Sequence, residues 1–182
     1  ALREQPLMVC GHSYRFPPSA ELVVDLDDVL YNQIGHTSLL IVENKQTFQD
    51  INQVDEALIA FINNPLVVYR GDADSGARAD AVNFLIRSTS LDVIAFVDYD
   101  PAGLIIAAGL PRLNHIISPS REMLKAILEE YGNADRFMAQ IHPVKHAIEE
   151  LRGSLIMEPC LSEIMAAGKA LPQEHFHRRG LP

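Results

Sequence analysis

The chain contains no tryptophan and only two cysteines, Cys10 and Cys160, and no apolar run approaches the roughly 20 residues that span a bilayer. Two cysteines far apart, with no Cys-x-x-Cys motif, do not make a disulfide framework. The first residues also lack the charged, apolar and cleavage regions of a secretory signal peptide. We therefore expect a cytoplasmic protein with reduced thiols and no membrane partner.

Positive charge is also scarce. The 182 residues include 15 Lys and Arg against 24 Asp and Glu, a net charge of -9, and Arg178-Arg179 is the one adjacent basic pair. Proteins that bind DNA unaided gain much of their affinity by neutralising phosphates with a basic face. If DNA is the substrate, a metal ion and another domain or subunit must supply the positive charge.

The chain has the composition of an ordinary globular domain, with 48% hydrophobic and 21% charged residues. From Ser38 onward, short apolar runs alternate with segments of helical periodicity. The predicted strands are 38–43, 66–69, 93–97 and 114–117, and the predicted helices are 47–62, 75–88, 101–110, 120–131, 134–151 and 161–169. Continuous apolar strands that alternate with helices indicate an α/β fold, with a mainly parallel central sheet flanked by helices.

The N-terminal part of the sequence lacks this alternation of strands and helices. Residues 7–10 and 21–26 are predicted to be short strands, separated by a turn-rich stretch over 11–19. We expect residues 1–37 to form a β extension packed on the main domain. Residues 38–182 then form the α/β domain with a C-terminal helical addition.

Three of the predicted strands end in acidic or glycine-containing sequence, at the sheet edge where α/β proteins bind ligands. The residues concerned are Glu43, Asn44, Gly71, Asp72, Asp98, Asp100 and Gly103. In an extended segment, Asp98 and Asp100 point the same way, and Glu43 joins them if its strand is adjacent. Carboxylates this close repel one another unless a cation lies among them, and hard oxygen ligands select Mg²⁺, with Mn²⁺ as a substitute.

This layout resembles the Toprim (Rossmann-like) domain of topoisomerases, primases and related nucleases. Ile41-Val-Glu-Asn44 with Thr47-Phe48, and Asp98-Tyr-Asp-Pro-Ala-Gly103 with Leu104-Ile-Ile106, are similar to two branches of it. One is the topoisomerase VI A subunit with its meiotic relatives, and the other is the nuclease subunit of the Wadjet plasmid-defence system. The resemblance covers roughly residues 38–130, and Leu171-Pro-Gln-Glu174 also resembles an acidic segment near the end of the Wadjet-type subunit.

The resemblance implies that Asp98 and Asp100 bind magnesium and that Glu43 binds metal or acts as a general acid or base. Asn44, Gly71, Asp72 and Gly103 are supporting candidates. The implied activity is cleavage of DNA phosphodiesters within a larger DNA-processing or defence protein. The DNA is expected to bind through an additional domain or subunit, and the protein is expected to form a homodimer.

The topoisomerase branch attacks the phosphate with a tyrosine from a separate domain, and no such motif surrounds the tyrosines of this chain. Hydrolysis by metal-activated water is therefore the simpler expectation.

Three alternatives stay open. The fold could serve as a non-catalytic interaction domain, which suits the negative charge. Val23-Val-Asp-Leu-Asp27 resembles the first motif of haloacid-dehalogenase phosphatases, with Asp25 as nucleophile and Asp27 as general acid. Histidine pairs at 142/146 and 175/177 could bind zinc, although neither pair has the complete ligand set of a zinc site.

Overall fold

A computed structural model of the chain describes residues 7–9, 12–15, 21, 23, 35–71 and 79–177. Strands β1 (Leu7–Val9) and β2 (His12–Tyr14) pair as an antiparallel hairpin. The strand predicted at 7–10 is confirmed, but β2 lies in the stretch predicted as a turn. The strand predicted at 21–26 is not seen at Glu21 or Val23, and its remaining residues lie outside the described ones.

The predicted α/β class is confirmed by a four-stranded parallel sheet flanked by helices, a Rossmann-like arrangement. Its strands are β3 (Ser38–Val42), β4 (Pro65–Tyr69), β5 (Asp92–Phe96) and β6 (Leu113–Ile116), in the order β4-β3-β5-β6. All five residues of β3 are buried, as expected for a central strand covered on both faces. The division at residue 37 stays a prediction.

In the described residues, each strand of the parallel sheet is followed in the sequence by one or more helices. They are α1 (Lys45–Gln49), α2 (Glu56–Ile59), α3 (Ala79–Ser88), α4 (Pro101–Ala108), α5 (Arg121–Tyr131), α6 (Ala134–Glu150) and α7 (Glu158–Ala167). No helix of the described residues has the length and apolar character needed to cross a membrane.

The single helix predicted over 47–62 is wrong, because this stretch is broken into α1, a 3₁₀ turn and α2. The Asn44 side chain caps α1 by accepting from the Thr47 N–H at 3.0 Å. Val54 is extended and pairs with His177, and Asp55 then caps α2. A tertiary contact and a second N-cap therefore override the helical periodicity.

Helix α6 continues through Pro143, a residue that fits poorly inside a helix. Proline removes the N–H that would bond to the carbonyl of Ala139. Both residues are exposed, so water can satisfy that carbonyl. The N-terminal half of α6, which precedes Pro143, is the part that reaches the candidate site.

The C-terminal segment 170–177 is built into the domain. Ala170 pairs with Asn133 at the start of α6, Leu171 pairs with Tyr99, and His177 pairs with Val54. Leu171 and Phe176 are fully buried. The segment therefore ties the loop after β5 to the start of α6, and brings its own side chains to the carboxyl end of the sheet.

Candidate functional site

The site lies at the topological switch point of the sheet. After β3 the chain crosses to β4 on one side, and after β4 it returns to form β5 on the other side of β3. Crevices that receive ligands in α/β proteins form at such a point, beyond the carboxyl ends of the strands. Here the two strand ends are those that carry Glu43 and Asp98.

Glu43 and Asp98 are in direct contact. The register aligns Val42 with Phe96, and the Glu43 N–H donates to the Phe96 carbonyl at 3.0 Å. The Glu43 carboxylate then accepts from the Asp98 N–H, also at 3.0 Å. The prediction that Glu43 meets the Asp-x-Asp segment is confirmed.

Asp98 and Asp100 are buried, with 6% and 1% of their surface exposed. One oxygen of Asp98 accepts from the Gln173 N–H at 2.9 Å. Asp100 is the N-cap of α4 and accepts from the Gly103 N–H at 2.7 Å. Backbone donors therefore fix one oxygen of each carboxylate.

Helix α6 supplies two further side chains to these aspartates. Arg136 Nη2 lies 2.6 Å from Asp98 Oδ2 and 2.9 Å from Asp100 Oδ2. Gln140, one turn later, donates to Asp100 Oδ2 at 2.9 Å. The sequence analysis missed both residues. Their i, i+4 spacing places them on one helix face, but no sequence signal shows that this face meets the strand ends.

The C-terminal segment adds Gln173 and Glu174. Asn44 donates to Glu174 Oε1 at 2.6 Å. With its amide oriented to satisfy both neighbours, the buried Gln173 side chain donates to the Phe96 carbonyl and accepts from the Asn44 N–H. The sequence signals in this segment are the resemblance at Leu171-Pro-Gln-Glu174 and the histidine pair at 175/177. Asn44, a predicted supporting residue, thus links α1 to the C-terminal segment.

The electrostatics of the cluster favour a proton or a cation. Burial, with the nearby charges of Asp98 and Asp100, raises the pKa of Glu43 to about 7, although the hydrogen bond from Asp98 and the charge of Arg70 lower it. Burial and the charge of Asp100 also raise the pKa of Asp98, against the hydrogen bonds from Gln173 and Arg136. Arg136 is the guanidinium that contacts the aspartates and Arg70 acts on Glu43 from a greater distance, so the three carboxylates, when ionised, outnumber the cations in the cluster.

The raised pKa of Glu43 predicts how stability depends on pH in metal-free buffer. Because its pKa is higher in the folded than in the unfolded chain, Glu43 stabilises the fold fully below about pH 4.5, and this contribution is lost as the pH rises through about 7. The loss is at most roughly 3 kcal/mol. Relative to wild type, Glu43→Gln should gain several degrees in Tm between pH 5 and pH 8, at most roughly 10 °C.

Thermal melts in EDTA at both pH values measure this difference. Glu122→Gln, on the exposed start of α5, is the matched control and should follow wild type. Parallel pH curves for Glu43→Gln and wild type would show that the Glu43 carboxyl is not in the crowded, desolvated environment described above.

An open cleft of about 530 Å³ lies beside Glu43 and Asp98. Its lining residues are Glu43, Asn44, Lys45, Gln46, Gln49, Tyr69, Arg70, Gly71 and Asp98. Two of the lining side chains, Lys45 and Arg70, are cationic, and two, Glu43 and Asp98, are acidic. Gly71 has φ +90°, a conformation that suits glycine at the turn after β4. Asp72, predicted as a supporting acid, lies outside the described residues.

Gly103 and Tyr99 have structural roles. A Cβ at Gly103 would lie 2.2 Å from the Asp98 carbonyl oxygen, so only glycine allows α4 to approach the strand end. Tyr99 is 1% exposed, and its hydroxyl donates to the Ile117 carbonyl at 2.9 Å. Tyr99 is the residue between the two aspartates in the sequence. Because its hydroxyl is buried, it is not accessible as a nucleophile.

Neither predicted histidine pair forms a metal-ligand cluster within the described residues. Asp25 and Asp27 of the phosphatase alternative lie outside the described residues. His142 and His146 are exposed on α6, and the His175 ring packs against the Tyr131 ring in a tilted arrangement with centroids 5.5 Å apart. In the part of the chain that the structure describes, no three His, Cys, Asp or Glu side chains are arranged as ligands of one metal ion. At Asp98 and Asp100, a guanidinium contacts the oxygens that a metal would use.

Fold and site define an α/β domain with an acidic cluster at its switch point. A family model matches residues 2–182, and the chain belongs to that family, the domain of unknown function DUF7281. No curated protein matches the chain.

Proposed function

We propose that Glu43, Asp98 and Asp100 hold Mg²⁺, or Mn²⁺ in its place, for cleavage of DNA phosphodiesters in a Toprim-type site. The observation that carries the proposal is the contact between the two strand ends. Acids separated by more than fifty positions meet at the switch point, and the Glu43 carboxylate lies 3.0 Å from the Asp98 nitrogen. Such carboxylates are suited to a hard divalent cation.

Two side chains of the site, one bonded to Asp100 and the other to Asn44, carry an unsatisfied acceptor that suits a hydrated cation. Gln140 Oε1 and Glu174 Oε2 are buried, and neither has a hydrogen-bond partner. Buried acceptors without a donor are costly, and the waters of a bound Mg²⁺ are donors. Arg136 contacts Asp98 and Asp100 in the structure, so a cation fits among these oxygens once the guanidinium leaves them. When bound, such a cation lowers the pKa of water and neutralises phosphate charge.

The side chains around the cleft have the chemistry that hydrolysis requires. With a pKa of about 7, Glu43 can exchange a proton near neutral pH when no metal is bound. Lys45 and Arg70 line the cleft on the side of Glu43 and are suited to contact phosphate oxygens. Tyr99 is enclosed and is not the nucleophile, and we propose that metal-activated water attacks the phosphate.

The net charge of -9 argues against DNA binding by this domain alone. Two cations at the cleft can position one phosphate, but they do not provide the extended basic surface that holds a duplex. We therefore place the bulk of DNA binding on an additional domain or subunit, in a larger DNA-processing or defence protein. A homodimer would bring two such sites to opposite strands.

Cleavage of supercoiled plasmid tests the activity. The protein in 5–10 mM Mg²⁺ or Mn²⁺, concentrations on the order of those that saturate weak carboxylate sites, should convert supercoiled plasmid to nicked or linear DNA. Excess EDTA should abolish the conversion, and restored metal should return it. Cleavage that persists in EDTA would contradict a metal-dependent site.

A second function is favoured by one observation. Arg136, Gln140 and two backbone N–H groups already provide donors to all four oxygens of Asp98 and Asp100. A cluster satisfied in this way needs no metal, and suits a non-catalytic interaction domain of the same fold. This alternative predicts no binding of Mn²⁺ by the folded protein, whereas the nuclease proposal requires it.

A further inference from the structure

The guanidinium of Arg136 occupies the place among the aspartate oxygens where a divalent ion would bind. A single nitrogen, Nη2, lies 2.6 Å from Asp98 Oδ2 and 2.9 Å from Asp100 Oδ2. We propose that Arg136 is the resident cation of this aspartate pair, and that a divalent metal binds there only when Arg136 releases both carboxylates. The inference rests on the proposed function, because it concerns the same cation site.

The first step of the argument is mutual exclusion. A Mg²⁺ ion binds carboxylate oxygens at about 2.0–2.1 Å, in the space in front of their lone pairs. The Arg136 nitrogen already contacts Oδ2 of both aspartates, so a metal at these oxygens would lie against the guanidinium. Two cations at such a distance repel one another strongly in a partly buried site. Arginine and metal therefore compete for the same oxygens.

The second step concerns which donor can leave. The N–H groups of Gln173 and Gly103 belong to the backbone of the C-terminal segment and of α4, so they cannot leave without local unfolding. The Arg136 side chain is 40% exposed, against 8% for Asp98 and 1% for Asp100. The guanidinium thus lies on the solvent side of two buried carboxylates, and a change of rotamer moves it into water.

The third step is electrostatic. The Arg136 guanidinium is always charged, and its Nη2 lies 2.6 Å from Asp98 Oδ2 and 2.9 Å from Asp100 Oδ2, so it is attracted to the pair. A metal must overcome this attraction before it binds. Removal of the guanidinium should therefore tighten metal binding, whereas a residue that merely supported the carboxylates would weaken it on removal. The direction of the change in affinity separates the two roles.

The test is a Mn²⁺ titration of wild type, Arg136→Gln and Arg136→Lys in metal-free buffer, with free Mn²⁺ followed by electron paramagnetic resonance. Arg136→Gln should bind Mn²⁺ on the order of tenfold more tightly than wild type. Arg136→Lys should lie between them, because an ammonium keeps the charge but is more strongly hydrated and leaves the carboxylates more readily. Arg152→Gln, which removes an exposed pair with Glu149, is the matched control and should bind as wild type does.

Thermal melts provide a second readout. Arg136→Gln should lose stability without metal and regain more of it than wild type when Mn²⁺ is added. Folding of this variant only in the presence of Mn²⁺ would support the exchange, and Arg136→Lys would still give a comparison of affinities. Equal or weaker binding in both variants, with clear binding by wild type, overturns the exchange and leaves the proposed function intact. Absence of Mn²⁺ binding in all proteins overturns both.

Discussion

Asp98→Asn should reduce the metal-dependent cleavage of supercoiled plasmid at least about 100-fold, since loss of even a residue behind the metal ligands commonly costs 10–100-fold. The substitution keeps the size of the side chain and one acceptor oxygen for the Gln173 N–H. It removes the charge that a cation needs at the switch point. The variant should therefore remain folded while its cleavage rate falls to the background.

Asp92→Asn is the matched control for this variant. Asp92 begins the same strand, β5, but is exposed at the opposite end of the sheet. Both variants should be purified in parallel and compared by initial rate over a range of Mg²⁺ concentrations. Cleavage by Asp98→Asn at the rate of Asp92→Asn would place the activity at another site.

Gly103→Ala should lower the free energy of unfolding by about 3 kcal/mol, the upper part of the range for overpacked sites. The new Cβ would meet the Asp98 carbonyl oxygen at 2.2 Å and its carbon at 3.0 Å. Both are backbone atoms between a strand and a helix, so neither can move away by a change of rotamer. The clash outweighs the gain of up to about 1 kcal/mol that alanine brings to a helix. A fall in Tm of about 10 °C follows.

Gly109→Ala is the control for this prediction. Gly109 ends the same helix, α4, with φ -76°, and its added Cβ would meet carbonyl oxygens at an ordinary 3.5 Å. This variant should melt within a few degrees of wild type. If Gly103→Ala also does so, the close approach of α4 to the Asp98 carbonyl is wrong, and with it the placement of Asp98 and Asp100.

The sheet and its acidic residues could be predicted from the sequence because their signals are local. Apolar runs such as 38–42 identify buried parallel strands. Ligands bind beyond the carboxyl ends of such strands, and this rule predicts that Glu43, Asp98 and Asp100 lie at one candidate site. The meeting of Glu43 with the aspartate segment then depends on one adjacency, β3 beside β5, which the structure confirms.

The remainder of the site depends on contacts that the sequence does not encode locally. Arg136 and Gln140 lie on an amphipathic helix whose polar face could equally point to solvent. Gln173 reaches Asp98 because the C-terminal segment pairs with Tyr99 and Asn133, two residues that are distant from it in the sequence. The break between α1 and α2 likewise depends on the pairing of Val54 with His177. Long-range pairing of short segments gives no periodic pattern that could predict it.

Anomalous diffraction from crystals grown with Mn²⁺ tests most directly whether the three carboxylates bind one divalent ion. A manganese peak within coordination distance of Glu43, Asp98 and Asp100, with the Arg136 guanidinium turned away from the aspartates, is the expected result. Millimolar Mn²⁺ that leaves no peak among these oxygens, with Arg136 still on Asp98 and Asp100, would contradict the proposed metal site.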